Sequence, residues 1–270
     1  MTQRPITGTS QVYATFGNPN KGSPSPVAYN AAFGEMDVDA VYIALEPLSA
    51  KALTDAIRSL QLGGGTVTKP FKQEIIALLD EVDTDAQTIG AVNVVVNKSG
   101  HLIGFNSDWL GALNALKSVI DPAEKKIALL GAGGAARAVA FGLSKGNADV
   151  TVFNRTESTA RDICESLSQN YGGSLEDVKP EFDVIVNATS VGFGDDLDSS
   201  PISSEAIREG SVVFDIIARP KETKLLKLAK EKNCTTIFGG VMGAHQAVYA
   251  LEWLTGVKPP LHTLLEYFTK

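Results

Sequence analysis

The chain has 270 residues, of which 44% are hydrophobic, enough for one large or two medium-sized packed domains. Its net charge of −7 argues against nucleic acid or an anionic membrane surface as the main partner. Two cysteines and three widely spaced histidines predict neither a disulfide framework nor a metal site. No apolar run has the length of a signal peptide or a membrane span, so a cytoplasmic location is expected.

The first part of the chain alternates between short apolar runs and helical patterns. The predicted strands are residues 12–16, 40–45, 66–68, 92–96 and 101–105, the last two flanking a hairpin turn at 97–100. The predicted helices begin near residue 25 and cover 49–60 and 71–79. This pattern indicates an α/β layer.

A second α/β pattern follows, in which the apolar run 126–130 leads into Gly131-Ala132-Gly133-Gly134-Ala135-Ala136-Arg137. The first glycine permits a tight strand-to-helix turn, the second lets the backbone approach a pyrophosphate, and the small Ala136 allows close packing. Backbone N–H groups at the start of the following helix would face that pyrophosphate. With a helix over 135–143, a strand over 148–153 and a helix from about 156 or 158, the segment predicts a dinucleotide-binding βαβ unit.

Arg155 stands where an NAD-binding protein would usually place an acidic residue. That acid accepts hydrogen bonds from a ribose 2′-hydroxyl, whereas an arginine favours a 2′-phosphate and therefore NADP. The alternative is a solvated arginine at a strand end.

The remaining patterns complete a two-domain organisation. A helix over 106–116 joins the halves, strands at 182–187, 212–216 and 235–237 continue the second sheet, and helical spacing recurs at 246–254 and 263–268. We expect two α/β domains with a cleft between them, formed by residues 1–105 with 245–270 and by residues 106–244. Ligands bind such sheets at the carboxyl ends of their strands.

Polar residues that could carry chemistry lie within or just after several predicted strands. Ser23 and Ser25 precede a helix and suit a carboxylate, although Ser25 could instead cap that helix with Pro26 in first position. Lys72 falls in the first turn of the predicted helix 71–79, where the helix dipole disfavours a cation, so it is either a solvated lysine or one placed there for use. Asn93 lies in an apolar run, where its amide needs either backbone or ligand partners.

A third strand end carries Asn106, Ser107 and Asp108, only one of which is needed as a helix cap.

The set of motifs resembles the shikimate dehydrogenase family over nearly the whole chain. The matching segments are Asn30-Ala31-Ala32-Phe33, Val67-Thr68-Lys69-Pro70-Phe71-Lys72, Ile89-Gly90-Ala91-Val92-Asn93, Asn106-Ser107-Asp108, Asn154-Arg155-Thr156, Asn187-Ala188-Thr189-Ser190 and His245-Gln246. The resemblance implies a substrate-binding domain followed by a Rossmann-type domain. It also implies NADP-dependent, reversible reduction of 3-dehydroshikimate to shikimate, a step of aromatic amino acid biosynthesis, by a monomer or homodimer.

The resemblance also implies a role for each matching residue. Lys72 and Asp108 would be the catalytic pair that handles the proton. The substrate would be held by Ser23, Ser25, Thr68, Asn93 and Gln246. The cofactor would be held by Gly131, Ala132, Gly133, Gly134, Ala135, Asn154, Arg155, Thr156, Thr189, Ile216 and Gly239.

Four residues depart from the family pattern. Gly22 replaces a histidine and Ala218 a tyrosine, which leaves open a relative that prefers quinate or another cyclic hydroxy acid. Thr159 stands where the NADP motif often ends in Lys or Arg, which leaves NAD open as a cofactor. Thr66 replaces an asparagine. A third alternative is a non-catalytic sensor that binds NADP.

Overall fold

A computed structural model describes residues 5–270, which divide into two units. Unit 1 combines the described residues up to Ser107 with Ala244–Lys270, and unit 2 is Asp108–Gly243. The predicted assignment of substrate to the first and of dinucleotide to the second stays a prediction.

Unit 1 is built on a six-stranded mixed sheet. Its strands are β1 (Gln11–Phe16), β2 (Ala40–Leu45), β3 (Gly64–Val67), β4 (Glu81–Val82), β5 (Val94–Lys98) and β6 (His101–Phe105), in the order β2-β1-β3-β5-β6-β4. β1 pairs in parallel with both β2 and β3, whereas β5 is antiparallel to β3 and β6. The ends of β1 and β3 therefore point the same way.

Apolar side chains cover both faces of this sheet, because successive strand residues alternate between faces. Tyr13 and Val94 belong to one buried cluster, and their chain neighbours Ala14 and Val95 to another. The helices of unit 1 are α1 (Ser25–Glu35), α2 (Ala50–Ser59), α3 (Thr84–Ile89), most of α8 (Gly239–Thr255) and α9 (Leu261–Phe268).

Unit 2 is built on a six-stranded parallel sheet. Its strands are β7 (Lys126–Leu130), β8 (Asp149–Phe153), β9 (Asn170–Gly173), β10 (Val184–Asn187), β11 (Val212–Asp215) and β12 (Thr235–Phe238), in the order β12-β11-β10-β7-β8-β9. The strand order reverses between β7 and β10, as in doubly wound dinucleotide-binding folds, and ligands bind at that switch point. The Rossmann-type fold predicted from the glycine turn is confirmed.

The helices of unit 2 are α4 (Asp108–Lys117), α5 (Gly134–Lys145), α6 (Glu157–Leu167) and α7 (Lys224–Glu231), together with the first residues of α8. α4 and α5 approach closely at Gly142, where a Cβ would lie 2.6 Å from the Trp109 carbonyl oxygen. The small residue therefore sets the distance between the two helices.

Two predicted elements differ from the structure. The helix expected over 71–79 is a turn at Phe71–Gln73 followed by a short 3₁₀ helix, Glu74–Leu78. α8 begins at Gly239, seven residues before the helical spacing predicted from 246. In both places the sequence pattern alone misjudged how far an α-helix extends.

Candidate functional site

The serine loop between β1 and α1 presents two hydroxyls at the carboxyl end of β1. Pro24 occupies the N-cap position of α1 and Ser25 is its first helical residue, so the alternative interpretation of Ser25 as the helix cap is wrong. The Ser23 Oγ accepts a hydrogen bond from the Ser25 N–H at 3.3 Å. Both serines are partly buried. The Ser25 hydroxyl is therefore not used to cap α1 and is available to donate to an anion.

The serine loop is held beside the segment that follows β3. Asn18 N–H donates to the Lys69 carbonyl at 3.0 Å, and the Asn20 side chain donates to the Thr15 carbonyl at 2.8 Å. A Cβ on Gly17 would lie 2.3 Å from the Thr68 methyl carbon, so only glycine permits this approach. The serine loop and Thr68 thus form one edge of unit 1.

Backbone hydrogen bonds join the segment that contains Thr68 and Lys72 to Val92 and Asn93. Val67 N–H donates to the Asn93 carbonyl, and Val92 N–H donates to the Lys72 carbonyl, both at 2.8 Å. Lys72 lies in a turn and not, as predicted, in the first turn of an α-helix, so no helix dipole disfavours its charge there. Its backbone position is set instead by Val92, the residue before Asn93.

Asn93 also holds the chain immediately before Asp108. Its Oδ1 accepts the Ser107 N–H at 2.7 Å, and its Nδ2 donates to the Ser107 hydroxyl at 3.0 Å. Asn93 and Ser107 are buried, which strengthens both bonds. Asp108, only 6% exposed, follows as the first residue of α4. Lys72 belongs to unit 1 and Asp108 to unit 2, and their pairing stays a prediction.

Gln246, the last predicted substrate contact, lies in the part of α8 that belongs to unit 1 and is partly buried. The preceding residue is His245, and burial lowers the pKa of its imidazole.

The glycine turn of unit 2 has the geometry that an anion requires. Gly131 adopts a φ of 105°, and a Cβ there would lie 3.0 Å from the Ala188 carbonyl. Gly133 and Gly134 face open space, and with Ala135 they are exposed at the start of α5. Because the first helical bond is donated by Arg137 to Gly133, the N–H groups before it have no helical acceptor. The turn therefore fits a pyrophosphate at a helix N-terminus.

The segment after β8 carries one available cation. Arg155 is exposed, whereas Arg161 pairs with Glu157 at 2.7 Å and covers the Tyr171 ring. Asn154 donates to the Thr159 hydroxyl at 2.9 Å, and that hydroxyl donates to the Thr156 carbonyl. Thr159 thus shapes the loop internally and brings no second positive charge to it.

Thr189, Ile216 and Gly239 follow three neighbouring strands of unit 2, namely β10, β11 and β12. Thr189 donates through both its N–H and its hydroxyl to Asn187 Oδ1, at 3.0 and 2.7 Å. A Cβ on Gly239 would lie 2.0 Å from the Ile216 carbonyl oxygen, so this contact requires glycine. Of the three residues, the structure brings Ile216 and Gly239 into direct contact.

Sequence reasoning missed Asp215, a fully buried carboxylate at the end of β11. The available signal was an acidic residue that ends the apolar run 212–214. The described residues contain no group of three or more His, Cys, Asp or Glu side chains that could hold a metal ion. Within that same part of the chain, no helix has the length and apolar character that crossing a bilayer requires.

Comparisons with known proteins match the two units separately. Residues 15–95 match the model of the shikimate dehydrogenase substrate-binding domain, and residues 114–224 match that of shikimate/quinate 5-dehydrogenase. A shikimate dehydrogenase (NADP(+)) of Aquifex aeolicus is 42% identical, with 94% of this chain and 95% of that protein covered. One of Methanocaldococcus jannaschii is 40% identical, with 96% of each covered.

A solved structure shows the same fold. Shikimate 5-dehydrogenase of Thermus thermophilus, crystallised in complex with NADP(H) and shikimate, superposes with a TM-score of 0.88 at 35% identity. The match covers 96% of this chain and 98% of that one. With matches of this length and identity, the chain belongs to the shikimate dehydrogenase family.

Proposed function

We propose that this chain catalyses the reversible, NADP-dependent reduction of 3-dehydroshikimate to shikimate. The observation that carries the proposal is the set of backbone hydrogen bonds that join the segment of Thr68 and Lys72 to Val92 and Asn93 in unit 1. Because backbone bonds connect the segments that carry them, a cation and two hydrogen-bonding side chains belong to one part of unit 1, which supports binding of a polyhydroxylated ring acid. The relatives named above as NADP-dependent shikimate dehydrogenases, and the neighbour that holds both NADP(H) and shikimate, support the same conclusion.

The residues of this chain account for the proton and for substrate orientation. When bound, a reduced nicotinamide supplies the hydride. Hydride addition to a ring ketone leaves an alkoxide, which must gain a proton from a positioned acid. Lys72 stabilises that oxygen and donates the proton, with Asp108 as its partner. Ser23 and Ser25 hold the carboxylate, and Thr68, Asn93 and Gln246 contact the hydroxyls.

The cofactor is held by the two features of unit 2 that suit its phosphates. Residues 131–135 would receive the pyrophosphate, and Asn154, Arg155 and Thr156 would receive the adenosine 2′-phosphate. Because Arg155 favours a 2′-phosphate while Thr159 adds no second charge, we expect NADP to be preferred and NAD still to be used, less well. The cytoplasmic location and the monomeric or homodimeric state stay predictions.

A second candidate is an enzyme of the same family that prefers quinate. Two observations favour it: Ala218 is an exposed methyl where many members carry a tyrosine, and a Cβ on Gly22 would meet no atom within 4 Å. Both changes alter the groups available to a ring substituent without affecting Lys72 or Asp108.

The test is a substrate panel read by NADPH absorbance with purified protein. Shikimate with NADP should give the highest kcat/KM, and quinate exceeding it would establish the second candidate. Absence of turnover on every ring acid, with NADPH still bound, would indicate a non-catalytic sensor.

Lys72→Ala should lower kcat by on the order of 10²- to 10⁴-fold, because it removes the proton donor, and should leave NADPH binding intact. The matched control is Lys51→Ala, which removes an exposed lysine of the same unit that pairs with Asp55. A Lys72→Ala enzyme that keeps most of its rate would show that another group supplies the proton.

A further inference from the structure

Asp215 is the end residue of β11 and has no solvent exposure. Its Oδ1 accepts hydrogen bonds from Asn187 Nδ2 at 3.1 Å and from the Ile217 N–H at 3.0 Å. Its Oδ2 accepts one from the Thr223 hydroxyl at 2.7 Å. One carboxylate therefore joins β10, the segment after β11 and the start of α7.

The first branch of this network reaches the loop after β10. Asn187 and Asp215 are register partners on adjacent parallel strands, and both are fully buried. Because Asn187 Nδ2 donates to Asp215, its Oδ1 is turned toward Thr189 and accepts both the N–H and the hydroxyl of that residue. The Thr189 hydroxyl in turn accepts the Val191 N–H at 3.1 Å. The orientation of the Asn187 amide thus decides where Thr189 lies.

The second branch reaches the start of α8. The Ile217 N–H is fixed by Asp215, and the Ile217 carbonyl accepts the Gly239 N–H at 3.0 Å. Ile216, between Asp215 and Ile217, is thereby held on both sides. Thr189, Ile216 and Gly239 are the three residues that we assign to the cofactor beyond the glycine turn and the Arg155 segment. Because those two features would receive the pyrophosphate and the 2′-phosphate, the three residues are assigned to the nicotinamide side.

A buried carboxylate at this position has an energetic cost. Burial raises the pKa of Asp215, and only the three donated hydrogen bonds act against that rise. Removing the carboxylate would leave the Asn187, Ile217 and Thr223 donors without their acceptor, so the network holds together only as a unit. Buried polar networks whose members are all satisfied rigidify what they connect.

We propose that Asp215 is a positioning residue that fixes the nicotinamide side of the cofactor site, through Asn187 for Thr189 and through Ile217 for Ile216 and Gly239. The proposal rests on the proposed function, because it assigns these three residues to the dinucleotide. Asp215 acts only through them, since its carboxylate is enclosed by protein groups.

The test compares Asp215→Asn with Asp183→Asn. Asp183 immediately precedes β10, at the opposite end of that strand from Asn187, where it accepts the Lys126 N–H at 3.1 Å and pairs with Arg208 at 2.8 Å. Both variants lose a carboxylate that organises the backbone, and only the first touches the network. Asp215→Asn should lower kcat about tenfold or more, because small misplacements of reacting groups slow transfer steeply.

A loss of stability alone would not change which step limits the rate. With NADPH deuterated at the transferring C4 position, the isotope effect on kcat should rise in Asp215→Asn and stay at the wild-type value in Asp183→Asn. Binding of adenosine 2′,5′-bisphosphate, which lacks the nicotinamide, should be unchanged in both. An unchanged isotope effect and kcat in Asp215→Asn would overturn the proposal.

Amide hydrogen exchange separates this proposal from the proposed function, since it needs no substrate. Exchange at Thr189, Val191 and Ile217 should accelerate in Asp215→Asn and not in Asp183→Asn. Unaltered exchange refutes the positioning role even in an active enzyme, whereas failure of the wild type to oxidise shikimate refutes the function. If Asp215→Asn does not fold, Thr223→Val removes one donor to Asp215, together with the N-cap of α7 that accepts the Leu226 N–H, at nearly constant volume. It should change exchange and isotope effect in the same direction, and wild-type values for both would contradict the proposal.

Discussion

Arg155 has a guanidinium that is exposed and makes no hydrogen bond or ion pair with any of residues 5–270. An arginine free of internal partners can bind a phosphate without first breaking a bond. Arg155→Ser should therefore raise the KM for NADPH by about 10- to 100-fold, the equivalent of one charged hydrogen bond of about 1.5–3 kcal/mol. The KM for NADH should change little.

Steady-state kinetics with both cofactors checks this prediction, and Arg161→Ser is its control because that guanidinium already pairs with Glu157. Equal increases for NADPH and NADH in Arg155→Ser would show that the arginine contacts a part that both cofactors share.

Residues that belong to short linear motifs could be predicted from the sequence, and residues that act across strands could not. Gly131 and Arg155 are recognisable because each lies just after a predicted strand, β7 and β8 respectively, in one continuous βαβ segment. Asp215 was missed because its partners Asn187 and Thr223 come from a neighbouring strand and from a helix cap. Residues that bond between distant segments have no characteristic sequence spacing, so a single sequence does not show that they will meet.

β2 is the edge strand of unit 1, and its six residues, Ala40–Leu45, include no charge and no proline. Such an edge invites pairing with another chain. The Asn30 side chain on α1 covers it: Nδ2 donates to the Tyr42 carbonyl at 2.7 Å, and Oδ1 accepts the Tyr42 N–H at 2.9 Å. One amide thus replaces a missing strand at the middle of the edge.

Asn30→Ala should destabilise the protein by about 1–3 kcal/mol, because it leaves two backbone groups of Tyr42 without partners. It should also promote association, because the edge becomes available. Urea unfolding and light scattering measure the two effects, and Gln11→Ala, which removes an exposed amide of the same unit, is the control. A monodisperse Asn30→Ala protein of wild-type stability would show that the edge is protected in another way.

At the level of elements, strongly patterned strands were predicted best. The strands at 40–45, 101–105 and 126–130 have the predicted bounds. The two-residue β4 and the six-residue α3 were missed, because they are too short to develop a periodic pattern. The segment after Pro70 was wrongly assigned to an α-helix, because its apolar residues Phe71 and Ile75 recur at helical spacing while packing against the sheet from a turn and a 3₁₀ helix.

The stability of the whole molecule should depend on pH through His245. Burial lowers the pKa of this imidazole in the folded protein. Below about pH 6.5, His245 is therefore protonated in the unfolded chain while it stays neutral in the folded chain. The stability that depends on neutral His245 is complete above that value and is lost as the pH falls toward the folded-state pKa. The Tm of the wild type should therefore decrease on acidification more than that of His245→Gln. Thermal unfolding of both proteins between about pH 5 and 8 checks this, and parallel Tm profiles would contradict it.

Unit 1 is discontinuous in the chain, and this has a consequence for the order in which the protein can be made. Its core combines Tyr13, Tyr29 and Phe33 with Leu251 and Leu264, and the Tyr13 hydroxyl donates to the Leu254 carbonyl at 3.0 Å. Unit 2 is continuous, from Asp108 to Gly243. During synthesis, which runs from the N-terminus, all residues of unit 2 leave the ribosome while one face of the first sheet still lacks α9 and most of α8, two of the helices that cover it. Unit 1, whose synthesis begins first, is therefore the last unit whose hydrophobic core can be completed.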